Sequence, residues 1–154
     1  MALAVIFLVY FGIGILAALG VIGITRKQVT PGTEPLVFGL VLIPIAAIYL
    51  AFSAYFGASA GWRNEALAAG GFALLGLVGI RLPLVLILAY VLHGAWDVLH
   101  EVTTLTGAPQ TASSTLTAIP LAYGAFCAAY DWFCAGYFYT RRAHWVAART
   151  SPAA

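Results

Sequence analysis

Apolar residues along the chain come in long uninterrupted blocks separated by short polar ones, and the blocks have the length of membrane crossings. The first apolar block runs from Ala2 to Thr25 and ends on Arg26-Lys27. A polar turn, Arg26 to Glu34 with Pro31-Gly32, leads to a second block from Pro35 to Gly57, where Pro44 is placed to kink a helix. The loop Ala58 to Asn64 carries Trp62 and Arg63. A third, short block from Ala66 to Ile80 is closed by Arg81. The fourth extends from Pro83 to Thr103. After a polar loop, Thr104 to Thr117, with Gly107, Pro109 and Ser113-Ser114, a fifth runs from Ala118 to Thr140 and stops at Arg141-Arg142 before a short basic tail. A spanning helix needs about 20 apolar residues, with roughly 17–25 tolerated. The pattern therefore predicts an all-α bundle of five transmembrane helices in a single domain, residues 1–154, with no internal repeat. The first block does not read as a secretory signal, because no basic segment precedes it, it is too long and its charges follow it.

Composition narrows the class further. The 154 residues are 63% hydrophobic and 8% charged, and mean hydropathy is +0.99. Soluble domains are about 45–50% apolar and about 25% charged. So few charges cannot coat a soluble monomer, which excludes a water-soluble enzyme, a nucleic-acid binder and a disordered regulator. The expectation is a multi-pass protein of the inner (plasma) membrane. Its expected partners are membrane lipids, a lipophilic small molecule and, because five helices enclose little volume, a second copy or a larger membrane complex.

Charge then sets an orientation. With five crossings, Arg26, Lys27, Arg81, Arg141, Arg142 and Arg149 fall on one side and Arg63 alone on the other. The positive-inside rule reads this as amino terminus out and carboxyl terminus in. Had the third block failed to cross, the tail would change sides and the asymmetry would nearly vanish. In that block Ala68-Ala69-Gly70-Gly71 and Gly76 form a small-residue face suited to close helix packing.

The few ionisable groups inside the blocks carry the candidate chemistry, since such groups in spans are costly and by default functional. Glu34 and Glu65 stand at block ends and are expected to face water. The fourth block contains His93, Asp97, His100 and Glu101. At about 100° per residue the first three occupy a sector of roughly 60°, and Glu101 widens it slightly. The fifth block repeats the spacing with Cys127, Asp131 and Cys134. Measured from the cytoplasmic end, His93 lies about 15 Å deep and Asp97 about 21 Å, against roughly 12 Å for Asp131 and about 18 Å for Cys127. An antiparallel pairing of the two helices would set the stripes face to face near the midplane.

Three chemistries fit that arrangement. In the first, His93, Asp97, His100 and Asp131 are metal ligands or orienters for zinc or non-haem iron, with Glu101, Asp131 and Asp97 as catalytic acid–base groups. The second needs no metal. Asp97 and Asp131 act as buried Brønsted acids, and Tyr90, Trp96, Tyr123, Tyr130 and Trp132 stabilise a developing carbocation, as an isomerase or cyclase would require. In the third, His93 and Asp131 are a polar lock in a transporter or complex subunit. Haem fits less well, because two histidines on one helix face cannot clamp the ring from both sides, leaving only a lone axial ligand. Gly57-Ala58-Ser59-Ala60-Gly61 matches a nucleophile-elbow pattern but lacks its strand–turn–helix setting. Cys127 and Cys134 are read as packing residues, too far apart for a disulfide. His144-Trp145 is read as an interfacial anchor, and Tyr137-Phe138-Tyr139 as an aromatic belt.

Through His93-x3-Asp97-x2-His100-Glu101, then Tyr123-Gly124 and Cys127-x2-Tyr130-Asp131-Trp132, the chain resembles a group of small bacterial membrane proteins that pair a histidine–tryptophan–aspartate–histidine helix with a later cysteine–aspartate helix. The resemblance covers the last two blocks and implies a two-helix site without naming a reaction. Many of those sequences carry a second histidine where Glu101 stands here.

Overall fold

In hydrocarbon every backbone N–H and C=O must be paired within the chain, so long apolar blocks have one cheap solution, the helix. The computed structural model describes residues 1–56, 61–106 and 116–150. The described residues are all-helical, with α1 Ala2–Gln28, α2 Glu34–Phe56, α3 Trp62–Gly79, α4 Pro83–Leu105 and α5 Tyr123–Thr150. Helices α1, α2 and α4 are long and apolar enough to cross a membrane.

Two boundaries differ from the sequence reading. Trp62 and Arg63 open α3 and do not belong to a loop. The fifth helix starts at Tyr123, not Ala118, and continues through the expected basic tail to Thr150. Residues before it cannot be helical: Pro120 supplies no N–H, and Ala122 holds a left-handed φ of 62°. Of the nucleophile-elbow pattern, 57–60 lie outside the described residues, as does 107–115 of the polar loop.

Helix α5 packs between α1 and α4, while α3 packs between α2 and α4, so the sequence neighbours α1 and α2 make few contacts with each other. Helix α1 buries only Gly14, Ala18, Ile22 and Thr25, one narrow stripe, and leaves Leu8, Leu16 and Ile24 more than half exposed. An apolar surface of that extent suits lipid and not water. Helices α2 and α3 approach closely where Gly39 faces Gly76; a Cβ on either would come within 2.6 Å of the other's carbonyl oxygen. Gly76 thus fulfils the packing expected of the third block, whereas Gly70 and Gly71 face open space.

Candidate functional site

Buried polar side chains gather on the inward faces of α2, α3, α4 and α5. On α4, His93, Asp97 and His100 are each wholly buried, as the helical spacing requires. Asp131 of α5, also wholly buried, meets His93 across the helix pair, with Asp131 Oδ2 2.6 Å from His93 Nδ1. His93 and Asp131 therefore share a level of the bundle, as the spacing on the two helices predicts. Asp97 Oδ2 approaches the same Nδ1 at 3.4 Å. One ligand atom from each of His93, Asp97 and Asp131 lies within 4.8 Å of the others, so this buried group could hold a metal ion.

Tyr49 of α2 completes the cluster. Its hydroxyl donates to Asp97 Oδ1, and its ring packs 4.2 Å from the His100 ring. Phe72 of α3 closes the other side of His93 at 4.8 Å between ring centroids. Three polar atoms here have no hydrogen-bond partner: His93 Nε2, Asp97 Oδ2 and Asp131 Oδ1. An unsatisfied buried polar atom costs about 1–3 kcal/mol, and more when charged. The carboxylates converge on the Nδ1 side of His93, so a cation there would meet one imidazole nitrogen and two carboxylates. A divalent ion, two carboxylates and a neutral imidazole sum to zero charge, which a low-dielectric interior favours.

His100 does not join that group. Its Nε2 lies 2.8 Å from Glu65 Oε1, and its Nδ1 lies 3.0 Å from the Trp96 carbonyl oxygen. Two helical turns separate His100 from His93, about 10 Å of rise, so one face of α4 serves two levels of the bundle. Of the two imidazoles expected at one site, the structure brings only His93 to the Asp97–Asp131 pair. Glu65, expected in water, is wholly buried and also accepts the Thr117 N–H at 2.9 Å.

Glu101, expected as a general base, has both carboxylate oxygens on backbone N–H groups. Its Oε1 accepts the Ala122 N–H at 2.9 Å and its Oε2 the Gly124 N–H at 2.8 Å. Both oxygens are used in holding the strained Ala122 turn and the unpaired donors at the start of α5. A Cβ at Gly124 would strike the Asp97 carbonyl and Glu101, so glycine there is what lets α5 reach α4.

Glu34, the other acid expected in water, is 1% exposed. It accepts from Tyr137 Oη at 2.7 Å, Trp145 Nε1 at 2.8 Å and Arg141 Nη2 at 2.9 Å. The hydrogen bond to Glu34 raises the Arg141 guanidinium further above its ordinary value. Trp145 and Phe138 are wholly buried, which corrects their reading as interfacial residues. Tyr139 does face outward, with Arg142 3.7 Å over its ring.

Of the aromatic wall expected around a carbocation, Tyr123 and Tyr130 line one cavity while the other three are engaged elsewhere. Tyr90 donates to the Phe38 carbonyl at 2.9 Å, Trp96 packs on His100, and Trp132 is 42% exposed with its indole N–H on the Val91 carbonyl. Cys127 and Cys134 are buried free thiols. Sequence reasoning passed over Tyr49, Glu65 and Glu34 as members of polar clusters. A hydroxyl in the middle of an apolar block was the available signal for Tyr49; the two glutamates find their partners on other helices and carry no local one. Against known proteins, the chain matches no family model, no curated protein and no solved structure.

Proposed function

We propose that the chain is a five-span membrane protein, amino terminus out, whose His93–Asp97–Asp131 group binds one divalent metal ion and serves as the centre of an enzyme acting on a lipophilic substrate. The observation that carries this reading is the convergence of two carboxylates on one imidazole, with an unpartnered oxygen on each acid. One nitrogen and two oxygens form a mixed donor set that suits zinc, ferrous iron or manganese. Tyr49, hydrogen-bonded to Asp97, orients that carboxylate, as outer partners of ligands commonly do. Burial among apolar helices selects a substrate that travels in the membrane.

A second reading rests on the short Asp131–His93 contact. It makes the same groups a metal-free acid–base centre of an isomerase or cyclase, with Asp97 and Asp131 as the acids. Elemental analysis of gently purified protein, followed by incubation in nanodiscs with a total membrane lipid extract and mass-resolved product analysis, separates the two. Near one metal per chain, lost with Asp131→Asn, together with chelator-sensitive lipid turnover, is the expected result. Turnover by metal-free protein would overturn the metal and favour the acid–base reading. Stoichiometric metal without any turnover would overturn the enzyme and favour a transporter or complex subunit.

A further inference from the structure

We infer that the groove between α1 and α2 binds the hydrocarbon chain of a single-chain lipophile, with the oxygen-bearing head of that molecule against Tyr123 and Cys127; this rests on reading the His93–Asp97–Asp131 group as a reaction centre. The groove follows from the packing order. Because α1 leans on α5 and α2 leans on α3, the two part from each other and leave an open-sided cavity of about 410 Å³. Ala17 of α1, Ile45 and Ile48 of α2 and Phe126 of α5 give it apolar walls. Pro44, also in the wall, leaves the helix backbone without its N–H at that turn.

Two properties choose the occupant. At about 30 Å³ for each water-sized group, the volume takes on the order of a dozen carbon atoms, one chain segment and not the paired chains of a bilayer phospholipid. The walls offer no charge to a polar body, so only a hydrocarbon is at home in most of the groove. The exceptions are Tyr123, Cys127 and Tyr130, all on α5. Cys127 precedes Asp131 by one helical turn and Tyr123 precedes Cys127 by another, so one face of α5 carries both into the groove and Asp131 towards His93. The groove wall is therefore backed by the Asp131 carboxylate. A fatty alcohol, fatty acid or linear prenyl alcohol has the required form.

The test uses the full chain in phosphatidylcholine nanodiscs with two photoactivatable hexadecanol probes, one carrying its diazirine at mid-chain and one beside the hydroxyl. The mid-chain probe is expected to label Ile45, Ile48 and Phe126, and the other Tyr123 and Cys127, both saturably and with competition by unlabelled hexadecanol. Filling the groove with Ala17→Trp or Ile45→Trp should lower saturable labelling at least ten-fold while metal content stays at the wild-type value. Labelling that does not saturate, or that falls equally on outward residues such as Leu8 and Leu74, would overturn the inference, as would labelling unchanged in both tryptophan variants. Saturable groove labelling of a protein that holds no metal would instead sink the metal centre and leave the groove standing. Metal without saturable labelling sinks the groove alone.

Discussion

Glu34 and Asp131 are both acids buried between helices, yet their surroundings complete them to different degrees. Glu34 spends its oxygens on a phenol, an indole and a guanidinium, and Glu101 likewise gives both oxygens to the N–H groups that open α5. Asp97 and Asp131 each keep one oxygen with no partner, and those acids share a histidine. A buried carboxylate whose bonds are all made holds helices together. Two that keep bonds left over beside one imidazole could hold something that is not part of the chain. Glu65 stands between the cases, with Oε1 taken by His100 and Thr117 and Oε2 free of hydrogen bonds.

The contrast breaks most sharply at the ligands. His93→Ala or Asp131→Asn is expected to reduce bound metal from near one per chain to below a tenth while helicity by circular dichroism is kept; metal retained in both variants would remove the distinction. Tyr49→Phe should weaken metal binding by about 10-fold or more without abolishing it, because it deletes the hydroxyl that orients Asp97. Equilibrium dialysis against a buffered metal series measures that shift. Glu34→Ala should do the opposite. It leaves metal content unchanged but destabilises the fold by about 3 kcal/mol, since Arg141, Tyr137 and Trp145 all lose their acceptor. Glu101→Gln keeps one acceptor and should cost about 1–2 kcal/mol, again with full metal, whereas metal loss there would restore Glu101 to the site. The smallest effect is expected at Ala122. Ala122→Gly relieves the left-handed backbone and should stabilise by up to about 1 kcal/mol in thermal unfolding of detergent-solubilised protein.

What the sequence made legible follows the range of the interaction. Helical spacing alone put His93 and Asp97 on one face, and antiparallel depth brought Asp131 to their level, because both depend only on rise and rotation along a helix. The same spacing misassigned His100, since sharing a face does not mean sharing a level; α3, packed against α4, supplies Glu65 two turns from His93. Position near a block end made Glu34 and Glu65 look solvent-facing. Their burial depends on Arg141, Trp145 and His100, which reach them only after the bundle closes. For α5, Ala118 continued the apolar run, but Pro120 and the left-handed Ala122 delayed the helix to Tyr123, where Glu101 could receive its N–H groups. Tyr49 was hidden for another reason. One hydroxyl among apolar residues reads as packing until the position opposite it is known to be an aspartate.

The central claim is a cation held by one imidazole and two carboxylates, and it is tested most directly by counting nitrogens at the metal. Manganese-loaded protein with its histidines labelled in nitrogen-15, studied by pulsed electron paramagnetic resonance, should show coupling to a single imidazole nitrogen that disappears in His93→Ala and persists in His100→Gln. Two coupled nitrogens, or a signal that survives without His93, would contradict the account.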